Sequence, residues 1–270
     1  MKRPLWIVTL VAGVAAPLAA QGPPERNRLL EELNWMEVGR LVPDSIRTVL
    51  LPAGTLEPHG VVHNGADNTA PYEMARRAAP RINALVAPTI PYGVTTTLGE
   101  YPGTFGIKPA TFEAYVEEVL SGLAANGFRN IIILNGHGPN GAALRAAAER
   151  VWHVTNSRLL VVEWWSLTAD LVQQVYGSQG GHAGNNETGA ILAVRPDLVH
   201  RELYTGPDLT TPRGEAWTAY PFPSSILLYR AGEGYPDFDA AKARRYFDGV
   251  VDRLVTLIQD VVGKWDRAGL

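Results

Sequence analysis

The sequence predicts an α/β fold in which helices wrap a mostly parallel central sheet, and three observations predict it. Four short runs are apolar and β-branched almost end to end, as strands buried on both faces must be. Stretches of helical composition join each run to the next, the order that βαβ units require. The chain then closes on a long amphipathic segment of the kind that covers a sheet face.

The strands are expected at Thr48–Pro52, Ala84–Pro88, Asn130–Asn135 and Leu159–Glu163, with Ile131-Ile132-Ile133-Leu134 the most apolar. Helices are expected at Tyr72–Arg81, Pro109–Asn126 and Ala142–Thr155. Pro109 suits a first turn and Gly127 the position just past a last one. Between Ala240 and Trp265, the residues Phe247, Val250, Val251, Leu254, Leu257, Ile258, Val261 and Trp265 recur at i, i+3, i+4, i+7, which predicts a helix packed on the sheet. Thr205–Pro236 is rich in Pro and Gly and lacks periodicity, so a long ordered loop or a contact between subunits is expected there.

Composition sets limits. With 270 residues, 46% of them hydrophobic, the chain can bury a sizeable core. A net charge of -3 and the lack of any Lys/Arg run argue against nucleic acid as a partner. There is no cysteine, which excludes disulfides, a thiolate nucleophile and Cys-ligated zinc. Any metal must therefore sit on His and carboxylates. Lys2 and Arg3, the apolar run from Leu5 to Ala16 and then Pro17-Leu18-Ala19-Ala20 read as a signal peptide over residues 1–20. The apolar run falls short of the ~20 residues a spanning helix needs, so no stable membrane insertion is expected, and the protein is expected to be periplasmic or secreted. Residues 21–30 read as a polar tether and 31–270 as a single domain.

In open α/β sheets ligands gather at the carboxyl ends of strands. Three segments in such positions hold most of the unusual polar residues. The first runs Glu57-Pro58-His59-Gly60-Val61-Val62-His63-Asn64-Gly65-Ala66-Asp67. On an extended stretch Glu57 and His59 project to one side, able to reach two adjacent ions, and the Gly-rich turn is expected to return Asp67 between them. The second is Asn135-Gly136-His137-Gly138-Pro139-Asn140-Gly141. The third is Gly180-Gly181-His182-Ala183-Gly184-Asn185-Asn186-Glu187, at the entry to a helical stretch. A lone histidine is usually a satisfied polar residue, and His153 and His200 are read that way. His59, His137 and His182 lie in Gly-rich turns, two of them beside acids. Buried together without a cation, such groups cost several kcal/mol of desolvation. His63 fits either a residue that supports the ligands or a turn residue, and Asn64 and Asn68 are reserve oxygen donors.

Two other chemistries leave traces. Gly136-x-Gly138-x-x-Gly141 follows a strand and Glu163 ends the next, matching a dinucleotide fingerprint, but His137 and Pro139 occupy the turn where bare backbone should meet a pyrophosphate. No Gly-x-Ser-x-Gly elbow is present for a serine hydrolase.

Together the three segments resemble the creatininase (creatinine amidohydrolase) family, whose motifs run Leu-Pro-x-Gly-x-x-Glu-x-His-Gly, an Asp, Asn-Gly-His-Gly-x-Asn, and His-x-Gly-x-x-Glu-Thr. The likeness spans Leu51 to Leu198, and Tyr101-Pro102-Gly103-Thr104 is similar to the family's Pro-Gly-Thr loop, which places Gly103 and Thr104 at the substrate. The resemblance implies a three-layer α/β/α sandwich, two divalent ions (Zn2+ or Mn2+) and a homo-oligomer, often a hexamer. It implies Glu57 and His137 on one ion, His59 and Glu187 on the other, Asp67 bridging, and His182 as general acid/base. The implied reaction is hydrolysis of a small non-peptide or cyclic amide by a metal-bridging hydroxide. A non-catalytic metal- or solute-binding protein of the same fold is the alternative, and a dinucleotide-dependent oxidoreductase a further one. Two departures point away from creatinine as substrate: Pro139 stands where creatininase has a metal-site Glu, and Gly177–Gly181 replaces a Trp-rich approach.

Overall fold

A computed structural model describes residues 27–95, 98–204 and 235–270. Four parallel strands, β1 (Thr48–Ala53), β2 (Ala84–Val86), β3 (Asn130–Asn135) and β4 (Arg158–Glu163), form a sheet in the order β2-β1-β3-β4. The register runs Thr48 to Asn130 through Ala53 to Asn135 between β1 and β3, and Asn130 to Arg158 through Asn135 to Glu163 between β3 and β4.

Successive side chains of a strand point to opposite faces, so each apolar run feeds two cores. Leu50, Ile132, Leu134 and Val162 face the layer of α2 (Ala66–Ala78), α6 (Ala169–Tyr176), α7 (Asn185–Val194) and α8 (Ala240–Arg267). Val49, Leu51, Ile131 and Ile133 face α3 (Pro109–Ala125) and α4 (Gly141–Val154), with α1 (Trp35–Leu41) against that core. Phe112, Val116 and Leu120 lie one helical repeat apart on α3 and are buried, each stabilising by ~1.5–3 kcal/mol. The α/β/α sandwich expected from the resemblance is the fold observed.

The chain leaves β1 through α2 to reach β2 on one side, then returns through α3 to β3 on the other side of β1. The order of strands therefore reverses between β1 and β3, and a crevice opens outside their carboxyl ends, at Ala53 and Asn135.

Several boundaries differ from the sequence reading. The first crossover helix begins at Ala66 rather than Tyr72, so Asp67 stands on the first turn of a helix and not in a Gly-rich turn. β2 stops at Val86, and the neighbouring pairing is taken up by Leu29, which bridges Val86, while the Val86 N–H donates to the Arg28 carbonyl. Residues 28 and 29, within the expected tether, thus dock on the sheet edge. Helix α1 was not anticipated, although Asn34 and Glu37 form a capping box. The short α5 (Trp164–Leu167) and α6 were also unanticipated. The expected leader (1–20) lies outside the described residues, as does nearly all of the expected 205–236 loop. No helix among the described residues is long and apolar enough to cross a membrane.

Candidate metal centre

Each of the three segments delivers side chains to the crevice. After β1, Gly60 (φ +58) closes a tight turn in which the Val62 N–H donates to the His59 carbonyl, presenting Glu57 and His59. Asp67 arrives on the first turn of α2, where the helix dipole favours an anion. That turn is pressed against the strand ends. A Cβ on Gly54 would lie 2.2 Å from the Asp67 carbonyl oxygen, and one on Gly136 2.0 Å from it, so only glycine permits the approach from either side. His137 follows β3, and Glu187 sits on the first turn of α7. His182 precedes α7 in a turn held by Ala183 (φ +56), whose N–H donates to Glu187 Oε2 at 2.6 Å and whose carbonyl accepts from the Thr188 hydroxyl.

The carboxylates and imidazoles converge. His59 Nε2 lies 2.8 Å from Asp67 Oδ1 and 3.6 Å from Glu187 Oε2. His137 Nδ1 lies 2.9 Å from Asp67 Oδ2 and 3.1 Å from Glu57 Oε1. His182 Nδ1 is 3.5 Å from Glu57 Oε1, and its ring centroid is 4.6 Å from that of His59. Glu57, His59, Asp67 and His137 are at most 4% exposed, whereas the His182 side chain is 31% exposed.

The other nitrogen of each imidazole meets a backbone carbonyl. His59 Nδ1 faces the Glu57 carbonyl at 3.0 Å, His137 Nε2 the Val94 carbonyl at 2.7 Å, and His182 Nε2 the Pro58 carbonyl at 2.7 Å. A carbonyl only accepts, so these nitrogens hold the protons, and the lone pairs of neutral rings point at the carboxylates. Acceptor then faces acceptor in a buried space. Without a cation the protein must protonate the rings: burial lowers the His59 pKa, but Asp67, Glu187 and Glu57 outweigh it and push it up to about 10. His137 is likewise pushed up to about 10, its burial outweighed by Asp67 and Glu57. Burial raises Asp67, yet His59 and His137 hold it below the usual carboxylate range. Burial pushes Glu187 up to about 7. Desolvation, then His59, lowers His182.

Among the described residues the donor atoms form three groupings able to hold a metal ion: Glu57, Asp67 and His137; His59, Asp67 and Glu187; and Glu57, His59 and His182. All donors are N or O, a set that suits zinc or manganese. Asp67 Oδ2 is buried and faces the ring nitrogen of His137 at 2.9 Å, so two ligand atoms already point at one place.

A family model described as creatinine amidohydrolase matches residues 31–258. The chain belongs to the creatininase family. It is 31% identical over 189 residues to creatinine amidohydrolase of Pseudomonas putida, covering 62% of this chain and 72% of that protein. It is 26% identical over 252 residues to 3-dehydro-scyllo-inosose hydrolase of Thermotoga maritima, covering 82% and 80%. A creatininase structure designated Mn superposes with a TM-score of 0.75 at 25% identity, covering 87% of this chain and 98% of that one. A mutant creatininase of Zn-Zn type gives 0.74 at 24%, with the same coverage. Family membership makes the chain a metal-dependent hydrolase.

Not every residue singled out in the sequence lies at the cluster. His63 bonds the Thr69 hydroxyl at 2.9 Å through Nε2 and is not among the metal-binding groupings, while Asn64 and Asn68 are held by their amide nitrogens, which donate to the Pro102 and Pro91 carbonyls. Gly103 (φ +79) and Thr104 belong to a loop tied to the first segment where the Phe105 N–H donates to the Leu56 carbonyl. The dinucleotide reading fails on the same geometry: Gly138–Asn140 is a 3-10 turn, Glu163 is paired with Arg145 at 2.6 Å, and the carboxylates around His137 would repel a pyrophosphate. Sequence reasoning missed the carbonyls of Pro58 and Val94, because backbone acceptors carry no sequence signature.

Proposed function

We propose that this family member is an exported two-metal amidohydrolase that cleaves the C–N bond of a small non-peptide or cyclic amide. One observation supports the metal count above the rest: the two carboxylate oxygens of Asp67 are divided, Oδ1 toward His59 and Oδ2 toward His137. Glu57 and His137 would hold one ion, His59 and Glu187 the other, and Asp67 both. Zinc or manganese bound there supplies a water whose pKa falls from about 15.7 toward ~7, and polarisation of the amide carbonyl.

The chain's own groups do the rest. Water oxygen bonds to the carbonyl carbon, the C–N bond breaks, and the departing nitrogen needs a proton. His182 is the residue to deliver it. Its Nε2–H is engaged by the Pro58 carbonyl, so Nδ1 is the atom that takes and returns the proton, and its partial exposure leaves it open to substrate. Gly103 and Thr104, on the loop tied to the first segment, are the residues assigned to the substrate by the resemblance.

The test is a panel of amides, formamides, lactams and 3-dehydro-scyllo-inosose, assayed with zinc or manganese before and after chelation. The inosose belongs in it because the relative named for that compound aligns with 82% of the chain. Hydrolysis of an amide that chelation abolishes supports the proposal. Turnover of the inosose alone would move the activity off amides, and silence throughout would favour a metal-binding protein without turnover. Export and assembly as a homo-oligomer belong to the same proposal. Trp35 (82% exposed) and Met36, side by side on α1, are apolar surface suited to a subunit contact. Light scattering and the N-terminal sequence of the exported protein test both.

A further inference from the structure

We propose that Asn140 is a positioning residue for His137, acting through the carbonyl of Val94. The inference rests on His137 being a metal ligand.

His137 and Asn140 share one 3-10 turn, in which the Asn140 N–H donates to the His137 carbonyl at 3.1 Å. The Asn140 side chain is fully buried and both ends of its amide are used. Oδ1 accepts from the Val94 N–H at 2.8 Å and Nδ2 donates to the Gly54 carbonyl at 3.0 Å. Since one partner is a donor and the other an acceptor, the amide has a single orientation. The space around it is tight: a Cβ on Gly93 would lie 2.4 Å from Asn140 Oδ1 and 2.5 Å from the Gly54 carbonyl oxygen. Asn140 thereby locks the segment containing Val94 against the end of β1.

The circuit closes where the Val94 carbonyl accepts from His137 Nε2 at 2.7 Å. That bond keeps the proton on Nε2 and the Nδ1 lone pair toward Glu57 and Asp67. If Val94 drifts, the proton can move to Nδ1, donate directly to Asp67 Oδ2 at 2.9 Å, and compete with a cation for the same lone pair. Asn140 touches neither carboxylate cluster nor substrate in this scheme. It sets which nitrogen of His137 is free.

The experiment measures zinc affinity of the full chain by competition with a chromophoric chelator, together with exchange of the His137 Nε2 proton in the zinc-loaded protein. Asn140→Ala removes both arms and is expected to weaken zinc binding by about 10- to 30-fold, in the range seen for residues that orient ligands, and to speed proton exchange. Asn140→Asp keeps an oxygen facing the Val94 N–H but sets a buried carboxylate oxygen against the Gly54 carbonyl, so zinc binding is expected to weaken here too, by about 10-fold or more. Val116→Ala, a core truncation on α3, lowers stability without touching the circuit and should leave zinc affinity and exchange as in the wild type. Equal loss in Val116→Ala, or wild-type affinity in a folded Asn140→Ala, overturns the inference. Should Asn140→Ala not fold, wild-type affinity in Asn140→Asp overturns it. A wild-type chain that binds no zinc overturns the metal reading itself, and this inference with it.

Discussion

Replacing Gly136 by alanine tests how closely the strand ends and α2 must approach to assemble the site. The added Cβ would lie 2.0 Å from the carbonyl oxygen of Asp67, 3.0 Å from its carbonyl carbon and 2.9 Å from Pro71 Cγ. Ordinary contact begins near 3.4 Å, so the Asp67 oxygen and the new carbon must part by about 1.4 Å, from 2.0 to 3.4 Å. The obstructing atoms are backbone and a proline ring, neither of which can rotate away. Either α2 or the segment that carries His137 must shift, and the 2.9 Å approach of Asp67 Oδ2 to His137 Nδ1 is lost with it. Overpacking of this kind costs ~1–3 kcal/mol, and a displacement of ~1 Å at a reacting centre costs on the order of 10²-fold in rate. Denaturant melts should show the first loss, and metal content with turnover on the best substrate of the panel the second. A Gly136→Ala protein with wild-type metal content and rate would refute the reasoning, because it would mean the crevice tolerates a wider separation than the ligand set allows. Gly122→Ala is the contrast: it lies inside α3 with nothing within 4 Å, so a gain of ~0.5–1 kcal/mol is expected.

His182→Ala should lower kcat by roughly 10²–10⁴-fold while metal content is kept; loss of an ion instead would place His182 among the ligands, as the grouping with Glu57 and His59 allows. Burial, then the charges of His59 and Arg195, pushes His63 down to about 4 from 6.5. The fold favours neutral His63, so this contribution is fully present above pH 6.5 and is lost as pH falls toward 4. The melting temperature of the wild type should accordingly drop toward that of His63→Gln over that interval, and a gap that stays constant with pH would contradict the assignment. Asp67→Asn should remove binding of both ions together, which titration calorimetry reads as loss of all sites rather than half.

Much of this was legible in the sequence because burial on both faces leaves a strong mark. Ile131-Ile132-Ile133-Leu134 admits little but a central strand, and seven of the eight apolar positions from Phe247 to Trp265 fall on the packed face of α8, with Val262 packed there and not Val261. Asp67 was placed on the wrong kind of element for a physical reason. Asp67, Asn68 and Pro71 are poor helix formers, and Pro71 lacks the N–H that would bond the Asp67 carbonyl, so propensity pointed to a later start. The helix begins early because α2 packs on the sheet, with Ala70, Met74 and Ala78 buried. Helix α1 carried a capping signature at Asn34 and Glu37 that periodicity alone overlooks in seven residues. At the site, Glu57, His59 and His137 could be picked out because acids and imidazoles are unusual in Gly-rich turns after apolar strands, and Glu187 because it opens a helix just after the Gly-rich stretch that holds His182. Their tautomers could not, since the Glu57, Pro58 and Val94 carbonyls that fix them are set only by the folded backbone.

The most direct measurement is metal stoichiometry with anomalous diffraction on protein purified with zinc or manganese. The account predicts two ions per chain, one against Glu57 and His137 and one against His59 and Glu187, with Asp67 touching both. A single ion, or ions bound away from these five side chains, would contradict it.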